Sequence, residues 1–153
     1  MNVVEKINKL KKERNAVILV HNYQLPEVQD IADFTGDSLG LSIQASQTEA
    51  DLIVFCGVYF MAETAKILSP HKTVIIPDKN SGCPMADMIT ADELRKLKAK
   101  HPNAKTMCYV NTYADVKAES DYCCTSANAE MMLKEAFTTE DEIIFVPDKY
   151  LAS

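Results

Sequence analysis

The stretch Ala16-Val17-Ile18-Leu19-Val20-His21-Asn22-Tyr23-Gln24 decides the fold, because an apolar run ends abruptly in four hydrogen-bonding side chains. Val17, Ile18 and Val20 are β-branched, which suits a strand covered on both faces. In open α/β sheets, ligands gather beyond the carboxyl ends of such strands. The pattern therefore predicts a buried parallel strand delivering His21, Asn22, Tyr23 and Gln24 to a site. A histidine after a strand is equally what a surface or satisfied structural residue looks like, so the reading depends on its company.

Outward from that strand, strands and helices alternate. Upstream, residues 2–15 read as a helix with Asn2 as N-cap, Glu5 at the capping-box position and Lys11, Lys12 and Arg14 near the C-terminal dipole. Downstream, Pro26 suits the first position of a helix running to about Phe34, and Gly36 breaks it. Asp37 and Ser38 open another helix over 39–48. A second strand follows at Leu52-Ile53-Val54-Phe55-Cys56-Gly57, then a helix over 60–68 stopped at Ser69-Pro70. A third strand over 73–76 leads into a long loop, 79–88. Residues 90–100 form a helix capped by Thr90 with Glu93 three residues on, and 106–111 a further strand. This alternation is the signature of parallel βαβ units.

The order of elements repeats at a spacing of 88, which pairs Glu5 with Glu93, Asn15 with Asn103, Ala16 with Ala104, Val28 with Val116, Asp33 with Asp121 and Ser38 with Ser126. A rival spacing of 70 sets Val74-Ile75-Ile76-Pro77-Asp78-Lys79 against Ile144-Phe145-Val146-Pro147-Asp148-Lys149, but matches one box instead of whole elements. At 88, Ser153 falls opposite Ala65, so the counterpart of Cys83 would lie near position 171. A parallel sheet lacking a strand of its repeat has an unpaired edge and an uncovered face. The expectation is a fragmentary chain or one completed by a partner.

Composition narrows the function classes. A chain of 153 residues, 47% hydrophobic and 25% charged, can bury one sizeable core or two small ones. Its net charge of -6, without a Lys/Arg stripe, argues against a nucleic-acid surface. The apolar residues of the N-terminus are spaced Val3, Ile7, Leu10 among lysines, unlike an export signal, and the run over 52–62 is too short to span a bilayer. The natural reading is a soluble cytoplasmic protein with no membrane partner. Five cysteines, an odd number, argue against a disulfide framework and leave thiol or metal-ligand roles open.

At the 88 spacing His21 faces Tyr109, Tyr23 faces Asn111 and Ser38 faces Ser126, so two units would offer polar groups at matching strand ends. Ser38 and Ser126 would each open a helix, where free N–H groups and the dipole favour an anion. Both are equally plain N-caps, and the two roles can coexist. Cys83 is the metal candidate, lying in a Gly/Pro loop after a strand. Cys56 and Cys108 read as buried fillers within apolar strands, and the adjacent Cys123 and Cys124 as poor joint ligands, packed or inert. There is no CxxC, HExxH or Gly-rich phosphate loop.

His21-Asn22-Tyr23-Gln24, Pro26-Glu27 with Gln29-Asp30-Ile31-Ala32-Asp33, Gly36-Asp37-Ser38-Leu39, Phe60-Met61-Ala62-Glu63, Gly82-Cys83-Pro84-Met85-Ala86-Asp87, Tyr109-Val110-Asn111 and Cys124-Thr125-Ser126-Ala127-Asn128-Ala129 together resemble quinolinate synthase, the A protein of de novo NAD biosynthesis. The resemblance runs from the first helix to the last residue. It implies an α/β fold of three-layer αβα units with parallel sheets, related by pseudo-symmetry around a central site. Two of the expected three units would be present: the first over 1–88 with the cluster cysteine, the second over 89–153 and incomplete, the third absent.

The resemblance also implies condensation of iminoaspartate with dihydroxyacetone phosphate to quinolinate, with loss of water and phosphate. An oxygen-sensitive 4Fe-4S cluster, held by one cysteine per domain, would leave one iron open as a Lewis acid. Cys83 matches the first of these ligands, and no other cysteine here matches the remaining two. His21, Ser38, Tyr109, Asn111 and Ser126 match substrate-binding residues, with the serines on anionic groups. Tyr23 and His21 match the catalytic positions, Tyr23 in proton transfer. The partner implied is an L-aspartate oxidase or aspartate dehydrogenase supplying iminoaspartate. Two other readings stand beside this one: a non-catalytic anion-binding α/β module using Ser38 and Ser126, and a small thiol or zinc protein using Cys83 with Cys123 or Cys124.

Overall fold

The computed structural model describes residues 2–139 and 141–148. Packing divides them into two compact units, one ending at Ser81 and one beginning at Gly82. Each has its own parallel sheet.

In the first unit, helix α1 (Val3–Glu13) starts at Asn2. The Asn2 side chain accepts the Glu5 N–H at 2.8 Å, and the Glu5 carboxylate accepts the Asn2 N–H at 2.9 Å. A cap of this kind contributes about 1 kcal/mol. Asn15 then turns the chain at φ 46°, a left-handed conformation that asparagine tolerates better than most residues. Its amide donates to Asp51 at 2.9 Å, fastening the starts of two strands together. Strands β1 (Ala16–His21), β2 (Phe34–Gly36), β3 (Leu52–Cys56) and β4 (Thr73–Ile75) lie in the order β2-β1-β3-β4. Helices α2 (Pro26–Gln29), α3 (Ser38–Gln47) and α4 (Tyr59–Leu68) connect them.

Burial alternates along β3 as a pleated strand requires. Ile53 and Phe55 are fully buried, as are Leu19, Leu41, Ala45, Phe60 and Ala65, whereas Leu52, Val54 and Cys56 are half-buried. These half-buried residues, with Ala16 and Ile18, line an open apolar groove of about 470 Å³ that Ile7 and Leu10 of α1 also border. One side of this sheet is thus packed and the other only partly covered.

In the second unit, β5 (Lys105–Tyr109), β6 (Tyr122–Cys124) and β7 (Ile143–Val146) lie in the order β6-β5-β7. They alternate with α5 (Ala91–Lys100), α6 (Ala114–Ala118) and α7 (Ala129–Ala136). The capping box expected at Thr90 and Glu93 is present. Leu94, Ala104, Cys108, Val116, Ile144 and Val146 form one apolar cluster, and Met107, Cys124 and Ala136 another. The α/β class and the repeated αβα layering expected from the sequence are both observed.

The repeat is visible in the strand registers. Leu19 pairs with Phe34, and Met107 with Tyr122, each separated by 15 residues. β3 pairs with β1 as β7 pairs with β5, whereas β4 pairs with β3. Matching β7 to β4, as the spacing of 70 would do, therefore sets non-equivalent strands together. Ala16 faces Leu52, 36 residues on, and Lys105 faces Ile143, 38 residues on. Two extra residues thus follow β6, and the spacing changes from 88 to 90.

Asp33 and Asp121, paired by the sequence, turn out to do the same work. The Asp33 carboxylate accepts the Ile18 N–H at 2.8 Å, and the Asp121 carboxylate accepts the Thr106 N–H at 2.9 Å. A lysine reaches the second oxygen of each, Lys11 at 2.7 Å and Lys105 at 3.3 Å. These bonds set where β2 and β6 begin, and here the sequence reading needs correction. The helix expected from Pro26 to about Phe34 ends at Gln29, and Gly36, expected to break a helix, pairs with His21 in β2. A three-residue strand is too short to declare its period, and its start is fixed by the bond from Asp33 to a distant strand.

Candidate functional site

β1 brings His21 to the carboxyl edge of the first sheet, where it is only 9% exposed. The Tyr23 N–H donates to His21 Nδ1 at 3.4 Å. An accepting Nδ1 assigns the ring proton to Nε2, which lies 3.5 Å from Ser38 Oγ. Burial lowers the His21 pKa, and the nearby Asp37 only partly offsets it. His21 is therefore a neutral imidazole at pH 7 that presents an N–H donor.

Tyr23 stacks against this ring, with centroids 3.9 Å apart and planes tilted by 38°. Its hydroxyl reaches Met61 Sδ at 3.9 Å, a soft contact that leaves the residue 53% exposed. Gly57 makes room for that sulfur: a Cβ at 57 would stand 3.0 Å from the Phe55 ring and 3.1 Å from Met61 Sδ. The motif Phe60-Met61-Ala62-Glu63 thus contributes a surface on which Tyr23 rests.

Ser38 is the first residue of α3, behind its N-cap Asp37. The Asp37 carboxylate accepts the Gly40 N–H at 2.7 Å. This helix end is therefore not bare, since its own acid holds one of the free N–H groups. What Ser38 offers is a hydroxyl beside a neutral imidazole.

In the second unit, Tyr109 ends β5 and is partly buried against the cluster of Met107, Cys124 and Ala136. Two residues on, Asn111 places Nδ2 3.9 Å from Cys83 Sγ. The loop carrying Cys83 packs in this unit, leading into a short 3₁₀ turn over Ala86–Met88. The Asp87 N–H donates to the Cys83 carbonyl at 3.0 Å, and the Tyr113 hydroxyl donates to Asp87 Oδ1 at 2.6 Å. That bond to a carboxylate, with some burial, pushes the Tyr113 phenol up to about 12. Tyr113 and Asp87 fasten the cysteine loop, a role the sequence reading missed. The available signal was a tyrosine two residues beyond Asn111 and an acid inside the cysteine motif.

Ser126 differs from expectation. It stands in an exposed turn between β6 and α7 and does not open a helix. Asn128 precedes α7 without capping it by its side chain, and its Oδ1 accepts the Thr125 N–H within the turn at 2.7 Å. A turn over 125–128, in which the Asn128 and Ala129 N–H groups donate to the Thr125 carbonyl at 3.1 and 2.9 Å, takes the place of the first helical turn, so α7 starts three residues beyond the position that the spacing of 88 assigns.

The thiols also divide differently from expectation. Cys108 and Cys124 are buried. Cys56 is half-buried along the open groove of the first unit instead of filling a core, because it lies on the less covered side of β3. Cys123, expected to be packed or inert, is not packed but exposed on β6, directly across from Cys108 in the strand register. Among the described residues, no group of three or more His, Cys, Asp or Glu side chains is placed to hold a metal ion. Cys83 is half-buried in a loop and next to an amide donor, which suits a single soft thiolate ligand.

The structure therefore groups His21, Tyr23 and Ser38 within the first unit, and Cys83 with Asn111 within the second. Among the described residues no helix is long and apolar enough to cross a membrane.

Comparison with known proteins gives this arrangement a context. The family model described as "Quinolinate synthetase A protein" matches residues 5–153. A quinolinate synthase of Alkaliphilus metalliredigens is 56% identical over 152 residues, covering 99% of this chain and 50% of the relative. One from Clostridium perfringens is 58% identical over 153 residues, covering 100% and 50%, and one from Methanoregula boonei 60% identical over 147 residues, covering 96% and 48%. The chain spans about half the length of these curated relatives.

Proposed function

The chain belongs to the quinolinate synthetase A family, and from that premise we propose that it is the substrate-binding N-terminal half of a quinolinate synthase. The reaction proposed for the whole enzyme joins iminoaspartate to dihydroxyacetone phosphate and releases phosphate and water. The observation that carries this reading is the gathering of His21, Tyr23 and Ser38 at one strand end, in a chain that the family model matches almost throughout.

Both substrates are anions, and the residues of the first unit suit anions without a fixed positive charge. The His21 Nε2 and the Ser38 hydroxyl lie 3.5 Å apart, and each can donate to a carboxylate or phosphate oxygen. A neutral donor is useful there, since Asp37 lies close by. Tyr23, exposed and stacked on His21, is the proton carrier in this reading, giving or taking a proton at its phenol oxygen. Tyr109, Asn111 and Ser126 are the substrate contacts proposed for the second unit.

Cys83 would be one thiolate ligand of a 4Fe-4S cluster, and the described residues do not complete the set. When bound, such a cluster supplies an open iron that polarises substrate oxygens. Asn111, whose amide already reaches Cys83, would orient substrate beside that ligand. The functional partner this reading implies is an enzyme that makes iminoaspartate, an L-aspartate oxidase or an aspartate dehydrogenase.

Titrating the labelled chain with dihydroxyacetone phosphate and following backbone amide shifts tests the binding half of the proposal. Saturable shifts at 21–24 and 37–40 are expected, with dihydroxyacetone giving none. Ser38→Ala is expected to weaken binding about tenfold, as loss of one hydrogen bond to a charged group would. Saturation unaffected by Ser38→Ala, or no saturable shift, would contradict it.

A further inference from the structure

Two side chains outside the site just described occupy the same place in each unit. In the first, Gln29 Nε2 donates to the carbonyl oxygens of Asn22 at 3.2 Å and Gln24 at 2.7 Å. In the second, Lys117 Nζ donates to the carbonyl oxygens of Val110 at 2.9 Å and of Thr112. Gln29 and Lys117 are 88 residues apart, as are Asn22 and Val110, and Gln24 and Thr112. One clamp is built twice with different chemistry.

The loops beneath the clamps repeat as well. The Asn22 N–H donates to the Gly36 carbonyl at 3.0 Å, and the Val110 N–H to the Cys124 carbonyl at 2.8 Å. The strand end is closed by the Gln24 N–H on the His21 carbonyl at 3.0 Å, and by the Thr112 hydroxyl on the Tyr109 carbonyl, also at 3.0 Å. Each clamp residue reaches back from the helix after the loop, Gln29 from the end of α2 and Lys117 from within α6.

The clamped carbonyls flank one residue in each loop: Tyr23 lies between Asn22 and Gln24, and Asn111 between Val110 and Thr112. Holding these carbonyls pins the peptide group that precedes the enclosed residue and the one just beyond its successor, which restricts the backbone torsions of the loop between them and hence where its side chain is presented. We propose that Gln29 and Lys117 are positioning residues, each holding two carbonyls so that Tyr23 in the first unit and Asn111 in the second are presented in one orientation. A glutamine amide and a lysine ammonium can both do this because each carries two or more donors on one nitrogen. The inference rests on the proposed function only in treating Tyr23 and Asn111 as site residues.

The test is backbone ¹⁵N relaxation on the full chain without ligand. In the native chain, Tyr23 and Asn111 should show order parameters near 0.85, the value of rigid backbone. Gln29→Ala should lower Tyr23 to about 0.6 or below, leaving Ile18 and Asn111 unchanged, and Lys117→Ala should do the same to Asn111 alone. The exchanged variants Gln29→Lys and Lys117→Gln should keep both sites rigid, which a purely bulk or packing role would not explain. Should Gln29→Ala fail to fold, Gln29→Glu removes the donors at nearly constant size and is expected to loosen Tyr23 equally. Unchanged order parameters in the alanine variants, loosening of the whole unit, or exchanged variants as mobile as the alanine variants would each overturn the proposal. Because no substrate is present, such a failure leaves the functional reading intact. That reading fails separately, in the titration with dihydroxyacetone phosphate.

Discussion

His21 Nε2 and Ser38 Oγ face one another at 3.5 Å, joining the last residue of β1 to the first of α3. The buried neutral ring at one end of this contact sets a pH dependence. Because burial lowers the His21 pKa, the unfolded chain takes up a proton near pH 6.5 that the folded chain still refuses. Stability therefore falls as pH drops below about 6.5 and levels off only below the lowered folded value. Urea midpoints measured from pH 7.5 to 5.0 should fall more steeply for the native chain than for His21→Gln, since the carboxylates act in both. Parallel curves would show that His21 is charged as readily folded as unfolded.

The paired acids Asp33 and Asp121 predict matched losses. Each accepts a strand N–H and a lysine, so Asp33→Ala and Asp121→Ala should each cost about 2 kcal/mol in chemical denaturation. For Asp121, partial burial raises the pKa, but the Thr106 N–H and Lys105 outweigh it and leave it lowered. Its contribution is thus full above the unfolded carboxyl value, about 3.9, and is lost as pH falls through the lower folded value. Losses below about 0.5 kcal/mol, the range of neutral surface changes, would remove both acids from the list of strand anchors.

The thiols should react in an order set by exposure. Brief alkylation of the native chain should label half-buried Cys83 before Cys124, which is buried in the second unit. Burial also pushes the Cys124 thiol up to about 11, leaving little thiolate at neutral pH. Peptide mapping would show the order, and early labelling of Cys124 would contradict the packing of that face.

The cysteine loop should loosen without Tyr113. Tyr113→Phe removes the bond to Asp87, and the Asp87 amide, bonded to the Cys83 carbonyl, should exchange about tenfold faster, while strand amides of β5 keep their rates. Asp87→Asn should likewise bring the Tyr113 phenol down from about 12. No change in exchange would mean that the loop is held by other contacts.

How far the sequence reveals these features depends on their length and on the kind of bond that makes them. Both capping boxes were legible because their partners lie three residues apart. β1, β3 and β5 were legible because each is a run of apolar or β-branched residues long enough to read. β2 and β6 were not, being three residues each and started by bonds from Asp33 and Asp121 to other strands. The repeat was legible in the order of elements. Its slip from 88 to 90 was hidden between β6 and β7, and the turn over 125–128 that keeps Ser126 out of the helix carried no signal of its own. Of the site, the grouping of His21, Tyr23 and Ser38 followed from strand ends and a helix start. The clamps of Gln29 and Lys117 escaped because equivalent positions carry different residues, and only their shared donor geometry reveals them.

The central claim is that these residues form the substrate-binding half of a quinolinate synthase, with Cys83 among its cluster ligands. It is tested most directly by anaerobic quinolinate formation in a chimera in which this chain replaces the matched half of the Clostridium perfringens relative, whose alignment covers all 153 residues. Supplied with iron, sulfide, iminoaspartate and dihydroxyacetone phosphate, the folded chimera should make quinolinate, and its Cys83→Ser form should lose both the cluster absorbance and the product. A folded, cluster-bearing chimera that makes no quinolinate, or a Cys83→Ser form that still does, would contradict the account.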